Sequence, residues 1–168
     1  MTKNVCLFVG QFQPFHIGHL MVLKGMVKVC DRVVIGIGSS QAERSKEHPF
    51  TAAERRDMIQ RALQDENIIP VHDVDFVEIP DDESDEEWTK TCFTLGEDIT
   101  TVWTGNEHTK KCFEGSHATV QIIKEVPGIS SSAIREKMIS AGDWKSQVPK
   151  AVAEVVIEID GAQRLRQM

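Results

Sequence analysis

Two histidines placed one helical turn apart are the residues of this sequence best suited to chemistry. His16 and His19 flank Gly18, shortly after an apolar segment, residues 5–9, that ends at Gly10. Imidazoles at this spacing project from one face of a helix. A helix amino terminus attracts anions through its free amides and partial positive charge, and Gly18 would let the backbone approach closely. The spacing predicts a phosphate site where the first strand gives way to the first helix.

Two other interpretations of the histidine pair are open. Structural zinc needs four ligands and catalytic zinc normally three, and no nearby carboxylate or cysteine completes the set. The two rings would otherwise only pack against the core or cap the helix. The preceding strand, Gly10 and Pro14 favour phosphate binding over both interpretations.

The elements around this motif predict the fold. Apolar runs at residues 5–9 and 32–38 are typical of buried parallel strands, and residues 17–29 between them have helical periodicity. A capping box, Thr51 to Glu54, opens a second helix through about residue 63. Further strands are expected at residues 68–77, 99–103 and 119–123, and helices after Ser130 and near Pro149. The alternation predicts a doubly wound α/β fold with a mostly parallel, Rossmann-like sheet. We expect one domain over residues 1–168, with a helical portion from about residue 130.

Composition excludes several functional classes. A net charge of −7 argues against a nucleic-acid surface, and no apolar run approaches the roughly 18 residues of a membrane span. The start of the chain enters a predicted strand without a secretory leader, which favours the cytoplasm. The cysteines are widely scattered and fit reduced thiols; they are Cys6, Cys30, Cys92 and Cys112.

The acidic stretch at residues 81–87 has an ordinary interpretation. Seven residues, six of them Asp or Glu, are typical of a solvated loop or of a helix amino terminus favoured by the helix dipole. We expect no metal site there.

The motif and its surroundings resemble a known enzyme family. The segment VGQFQPFHIGH is similar to the signature of archaeal-type nicotinamide-mononucleotide adenylyltransferases, within the wider HxGH nucleotidyltransferase superfamily. The similarity continues through GSSQ at residue 38, PFTAAER at residue 49, TGN at residue 104, ISSSAIR at residue 129 and GDW at residue 142. It therefore extends in family order over nearly the whole chain.

The resemblance implies roles for individual residues. His16 and His19 would hold ATP phosphates, and Arg135 would neutralise charge on the triphosphate. ATP or NAD contacts are expected from Gly10, Gln11, Phe12, Gly18, Gly38, Ser39, Gly105, Asn106, Ser131 and Ser132, and acceptor contacts from Trp88, Arg55 and Lys46.

Several of these assignments have structural alternatives. Arg135 would otherwise be a surface helix residue, and Trp88 a core residue rather than the platform for the nicotinamide ring. Gly105 and Asn106 are also ordinary turn residues. Arg55 would alternatively pair with acids on its own helix.

Two positions depart from the family pattern. Relatives generally carry arginine where this chain has Gln11, and many carry another just before the PFT segment, where this chain reads Lys46, Glu47, His48. Glutamine donates hydrogen bonds but cannot neutralise a phosphate. Either affinity is lower or charge comes from elsewhere; the candidates are Arg44, Lys46, His48 and Arg55.

The reaction implied is adenylyl transfer from ATP to nicotinamide mononucleotide, giving NAD and pyrophosphate. A phosphate monoester is already largely ionised near neutral pH, so no general base is needed. Mg²⁺ would be carried mainly by the ATP phosphates, and the partners would be small nucleotides and, as in relatives, further copies of the chain. The alternatives are a different phosphorylated acceptor, or a binding protein that senses NAD or ATP without turnover.

Overall fold

The computed structural model describes residues 3–168 and places one five-stranded parallel sheet between two layers of helices. The strands are β1 (Val5–Gly10), β2 (Arg32–Ile37), β3 (Val74–Glu78), β4 (Thr101–Thr104) and β5 (Thr119–Ile122). The helices are α1 (Ile17–Val29), α2 (Ala52–Asp65), α3 (Asp85–Gly96), α4 (Glu107–Phe113), α5 (Ser131–Ile139), α6 (Lys150–Glu158) and α7 (Gly161–Arg166), with a 3₁₀ turn at Lys145–Gln147. The predicted doubly wound α/β fold is confirmed.

Both faces of the sheet are buried, as a parallel sheet requires. Along β1, Cys6 and Phe8 face a large hydrophobic cluster formed with α1, α2 and the carboxyl-terminal helices. Val5 and Leu7 face a smaller cluster formed with α3 and α4. The strand therefore alternates between two apolar layers, which explains why its sequence reads as a continuous apolar run.

The strand order places a crevice at the centre of the sheet. The order is β3-β2-β1-β4-β5, so the chain winds outward from β1 in one direction and, after crossing to β4, in the other. Loops that leave β1 and β4 therefore diverge at the carboxyl ends of these two strands. In open α/β sheets ligands bind at such a switch point.

The third strand begins later than predicted. The backbone amides of Ile68 and Ile69 both donate to the carbonyl of Leu63, at 2.9 and 3.2 Å, and close the end of α2. These amides are not available for pairing with β2. Strand pairing starts only at Val74, opposite Val33, so the first half of the predicted strand belongs to the helix end and a loop.

The cysteine prediction is wrong for two of the four residues. Cys6 in β1 and Cys30, directly after α1, form a disulfide. Helix α1 packs back on the strand that precedes it, and this brings together two residues 24 positions apart in sequence. Cys92 is a free buried thiol, and Cys112 is a free, half-buried one. Wide spacing along the chain is therefore no argument against a bridge within a βα unit.

The acidic stretch behaves as the helix-dipole interpretation predicts. Ser84 caps α3 by accepting a hydrogen bond from the amide of Glu87, and the first turn carries Asp85, Glu86 and Glu87. Within residues 3–168 no helix combines the length and apolar character needed to cross a membrane.

Candidate active site

Two adjacent cavities open at the carboxyl end of the sheet. The first, about 480 Å³, lies between the start of α1, the loops after β4 and β5, and the first turn of α5. The second, about 420 Å³, lies between the ends of β1 and β2 and helices α3 and α4. Both are lined by Val9, Gly10, Gln11 and Asn106. Molecules bound in the two cavities would therefore meet at this shared wall.

The two motif histidines cap the first helix reciprocally. The Nδ1 atom of His16 accepts hydrogen bonds from the amides of Gly18 and His19, at 3.1 and 3.3 Å. The Nδ1 atom of His19 accepts from the amide of His16 at 3.1 Å. This is a capping box in which imidazoles replace the usual hydroxyl and carboxylate. The alternative interpretation as capping residues is thus correct, but both rings also line the first cavity.

The cap fixes the tautomer of both rings. A nitrogen that accepts a hydrogen bond carries no proton, so each neutral ring has its proton on Nε2. No group among residues 3–168 forms a hydrogen bond with either Nε2. The two rings stack with centroids 3.6 Å apart. The pair therefore offers two N–H donors at the entrance of α1.

Burial keeps both rings neutral. It lowers the pKa of His16 from 6.5 to about 4. It also lowers the pKa of His19 well below its ordinary value, with the nearby His16 ring as a second cause. At neutral pH the two rings are therefore neutral hydrogen-bond donors and not cations.

The sequence predicts free amides at the start of α1, but two of these amides are already hydrogen-bonded. Those of Gly18 and His19 are already bonded to the His16 ring, so they are not free for a phosphate. A Cβ atom at Gly18 would lie 2.9 Å from Cε1 of His16. Gly18 is therefore required for the ring to fold over the first turn, and not mainly for close approach of a ligand.

Phe12 supports the site from inside the core. Its side chain is 1% exposed and lines neither cavity, which corrects the prediction that it contacts nucleotide. Its ring lies edge-on to His19 at 4.9 Å, and Phe15 stacks near the same imidazole at 5.4 Å. Two phenylalanines of the FQPFH segment thus hold His19 in a dry environment, which accounts for its low pKa.

The amino terminus of α5 supplies the free amides. Ser130 caps the helix by accepting from the amide of Ala133, and the two preceding amides, of Ser131 and Ser132, belong to residues that line the first cavity. The Ser131 hydroxyl donates to the carbonyl of Pro14 at 2.9 Å, which ties this turn to the motif loop.

Arg135 brings a positive charge to the first cavity. One guanidinium nitrogen donates to the carbonyl of Gln13 at 2.9 Å, which fixes the group beside the motif. Partial burial lowers its pKa, but a guanidinium stays charged at physiological pH. The sequence interpretation that places Arg135 near the two histidines agrees with this geometry.

The glycine ends of β1 and β2 form the floor between the cavities. The amide of Gly38 donates to the carbonyl of Gly10 at 2.9 Å. A Cβ atom at Gly38 would lie 3.0 Å from the Gln11 side-chain nitrogen, so the glutamine rests on this glycine. Ser39 lines the second cavity, where its hydroxyl donates to Asp81 at 2.8 Å.

Arg55 is buried and lines neither cavity. Its side chain is 1% exposed and donates to the carbonyls of Gln11, Gly38 and Thr51 at 2.7, 2.7 and 3.2 Å. Two interpretations of Arg55 from the sequence, a contact with the acceptor and pairing with acids on its own helix, are therefore wrong. Arg55 instead holds the loops after β1 and β2 in place. Lys46 is exposed and lines neither cavity.

The second cavity contains Trp88. Trp88 is half-buried, lines the cavity and packs edge-on to Phe113 at 5.9 Å. Its surroundings are acidic, because Asp81, Asp82 and Asp85 line the same cavity and no lysine or arginine does.

Asn106 and Gly105 form the turn after β4. Asn106 accepts from the amide of Thr109 and caps α4, and it also lines both cavities. Gly105 lines the first cavity, where a Cβ atom would lie 3.2 Å from the carbonyl of Ile123. The turn interpretation and the site interpretation are therefore compatible.

Two charged residues that line the first cavity are not among those predicted from the sequence. Lys124 and Glu125 follow β5 and line the cavity together with Glu47 and His48. The available signal was their place after a parallel strand, because all such strand ends meet at one edge of the sheet.

The sequence and the fold both match known proteins. Residues 7–137 match the model of the cytidylyltransferase-like family. The chain is 37% identical to a nicotinamide-nucleotide adenylyltransferase of Thermoplasma volcanium, over 99% of this chain and 93% of the relative. It is 36% identical to one of Methanolobus tindarius, over 95% and 91%. A bifunctional NMN adenylyltransferase/ADP ribose pyrophosphatase of Francisella tularensis, complexed with AMP and a manganese ion, superposes with a TM-score of 0.77 at 20% identity, covering 98% of this chain and 52% of that one.

The low pKa of His16 predicts a pH effect on stability. A ring whose pKa is lower in the folded protein than in the unfolded chain binds fewer protons when folded. The free energy of unfolding therefore falls as pH drops from about 6.5 toward about 4. Asparagine caps helices well and does not titrate. In His16→Asn the pH slope of the unfolding free energy, measured by urea denaturation, should decrease by up to about 1.4 kcal/mol per pH unit.

The exposed His72 provides the matched control. The variant His72→Asn should retain the wild-type slope. An unchanged slope in His16→Asn would contradict the assignment of a neutral, half-buried ring to position 16.

Proposed function

The chain belongs to the cytidylyltransferase-like family and, within it, to the nicotinamide-nucleotide adenylyltransferases, and from this premise we propose that it transfers the adenylyl group of ATP to nicotinamide mononucleotide. The products are NAD and pyrophosphate. The observation that carries the proposal is the wall shared by two cavities, at Gly10, Gln11 and Asn106. Two nucleotides that are to be joined through their phosphates need adjacent sites that meet at one point.

The first cavity suits ATP. It combines the Nε2–H donors of His16 and His19, the amides at the start of α5, and the Arg135 guanidinium. Phosphate oxygens bind well to such amides and to an arginine fork. Glycines at positions 10, 18 and 105 line the same cavity.

The mechanism is an in-line displacement at the α-phosphorus of ATP. A phosphate oxygen of the acceptor forms the new P–O bond as the bond to the leaving pyrophosphate breaks, and no covalent enzyme intermediate forms. The acceptor phosphate is already ionised, so the neutral imidazoles are not needed as bases. They donate hydrogen bonds to oxygens that gain charge in the transition state, and Arg135 compensates charge on the triphosphate.

A divalent cation carried by the nucleotide fits this cavity. The relative from Francisella tularensis holds a manganese ion together with AMP, and we propose Mg²⁺ for this chain. Glu47 and Glu125 are the carboxylates that line the first cavity, and Mg²⁺ is usually held by one or two carboxylates, substrate phosphates and water. Bound there, the ion would offset charge on the phosphates.

The second cavity suits the acceptor. Trp88 offers an apolar ring for the nicotinamide, and Gly38 and Ser39 lie at the end of β2 on the same wall. Nicotinamide mononucleotide carries a cationic pyridinium ring and a neutral amide, whereas the nicotinic-acid analogue adds a carboxylate. The carboxylates of Asp81 and Asp82 would repel that added charge. We therefore propose a preference for the amide. A cytoplasmic location and a homo-oligomeric state are also part of the proposal.

The reaction predicts a specific role for Arg135. Purified protein given ATP, Mg²⁺ and nicotinamide mononucleotide should form NAD and pyrophosphate in equal amounts. In Arg135→Gln, kcat/KM should fall by about 100-fold or more, because a charged hydrogen-bonding group at the phosphates is lost. The control is Arg56→Gln, which removes an exposed arginine of α2 that packs over Phe76. Its kcat/KM should stay near the wild-type value.

Failure to form NAD by protein that still binds ATP would reject the proposal. Turnover with another phosphorylated acceptor would then favour a changed substrate, and tight NAD binding without pyrophosphate release would favour a sensor.

The acidic second cavity predicts acceptor selectivity. We expect kcat/KM to be higher for nicotinamide mononucleotide than for the nicotinic-acid analogue. Asp82→Asn keeps an acceptor for the amide of Ser84 but removes one charge. Two unit charges about 8 Å apart repel each other by roughly 1 kcal/mol at an effective dielectric constant of about 40. Loss of the repulsion between Asp82 and the carboxylate of the nicotinic-acid analogue should therefore lower the ratio of kcat/KM for nicotinamide mononucleotide to kcat/KM for the analogue about fivefold.

The exposed Asp73 gives the matched control, because Asp73→Asn removes a charge outside both cavities. An equal fall of this kcat/KM ratio in Asp82→Asn and Asp73→Asn would show that the selectivity does not come from the second cavity. A wild-type preference for the acid would contradict the electrostatic account.

A further inference from the structure

Three metal-binding side chains meet at the wall of the second cavity. They are His108 and Cys112 of α4 and Asp85, the first residue of α3. Asp85 belongs to the acidic stretch in which the sequence alone predicts no metal site; the partners from α4 become visible only in the structure. Their donor atoms all lie within 4.8 Å of one another, and His108 Nε2 is 3.0 Å from Asp85 Oδ1. The proposed adenylyl transfer gives no role to the imidazole or the thiol of this cluster.

The two helices hold the three donors in one place. His108 and Cys112 are four residues apart on α4, so their side chains project from the same face. The hydroxyl of Thr89 in α3 lies 2.8 Å from the carbonyl of Asp85 and 3.3 Å from the carbonyl of Cys112, and His108 of α4 bonds to Asp85 of α3, so α4 is held against α3. Asn106 caps the other end of α4, next to His108. The cluster is therefore built on two helices that are bonded to each other, and not on a loose surface loop.

The donor set selects the class of ion. One sulfur, one imidazole nitrogen and one carboxylate oxygen suit zinc and the similar ion Co²⁺, whereas Mg²⁺ and Ca²⁺ prefer oxygen ligands alone. Ligands of a tetrahedral zinc ion, about 2.0–2.3 Å from the metal, lie roughly 3.3–3.7 Å from each other. Asp85 and His108 are exposed, so small rotations of their side chains reach this spacing.

The local charge also favours a cation. Asp81 and Asp82 line the same cavity, which has no lysine or arginine in its lining. This is the opposite of the first cavity, where Arg135 and Lys124 are present. A divalent ion at the cluster would be attracted by three carboxylates, one of them a direct ligand.

We propose that Asp85, His108 and Cys112 form a three-ligand site for a divalent transition-metal ion of the zinc class, with its fourth position open toward the second cavity. The site goes beyond the proposed adenylyl transfer, because it is distinct from the ion carried by ATP in the first cavity. It links α3 to α4 beside Trp88, so its occupation would stiffen the wall on which the acceptor ring is proposed to pack.

The test is a Co²⁺ titration of the nucleotide-free protein, followed by absorption spectroscopy. We expect one Co²⁺ per chain, a thiolate-to-cobalt charge-transfer band, and displacement of the cobalt by Zn²⁺. Cys112→Ser should lose the charge-transfer band. His108→Asn should weaken binding at least about tenfold, as loss of a metal ligand or its support commonly does.

Matched controls are available in the same chain. Cys92→Ala removes the other free thiol, which is buried in the core, and His72→Asn removes an exposed histidine before β3. Both should bind Co²⁺ as the wild type does. Circular dichroism shows whether Cys112→Ser is folded, and the exposed His108→Asn gives an independent answer if it is not.

Absence of saturable binding up to millimolar Co²⁺ would overturn the proposal, as would a charge-transfer band that survives in Cys112→Ser. The measurement uses no nucleotide. Its failure would therefore leave the adenylyl-transfer proposal intact, and a failure of NAD synthesis would leave the metal site intact.

Discussion

The site depends on one local interaction, the reciprocal cap between His16 and His19. Each ring accepts backbone amides through Nδ1, and this settles the tautomer, the stacking of the rings and the direction of both Nε2–H groups. Gly18 is necessary because a Cβ atom there would collide with the His16 ring. The spacing of the motif is thus a requirement of the cap. The proposed phosphate binding is a consequence, since a neutral ring that accepts through one nitrogen donates through the other.

This arrangement divides the work between neutral and charged groups. Burial lowers the pKa of both histidines, so the permanent positive charges in the lining of the first cavity are those of Lys124 and of Arg135, which is held against the motif loop through Gln13. Buried Arg55 holds the same loop in place by donating to the carbonyls of Gln11 and Gly38. Relatives generally carry arginine where this chain has Gln11, which rests on Gly38 and lines both cavities. The missing positive charge is less disruptive because Arg135 supplies one on the other side of the first cavity.

The sequence predicts the fold well, because the fold depends on short-range patterns. Apolar runs and capping signals identify most elements, and Gly10, the last residue of β1, marks the edge of the sheet where the two cavities open. Features that depend on contacts between segments distant in sequence cannot be predicted in this way. The Cys6–Cys30 bridge requires knowing how α1 packs on β1, and the structural role of Arg55 requires knowing where three loop carbonyls lie. Phe12 reads as part of a binding motif, yet its side chain belongs to the core.

The most direct measurement is the protonation state of the two rings, obtained from long-range proton–nitrogen NMR spectra at neutral pH, with and without a non-hydrolysable ATP analogue. The account predicts that both His16 and His19 are neutral with the proton on Nε2, and that the analogue shifts the Nε2 resonances of both while the Nδ1 resonances change little. A proton on Nδ1 of either ring, or an imidazolium in the free protein, would contradict it.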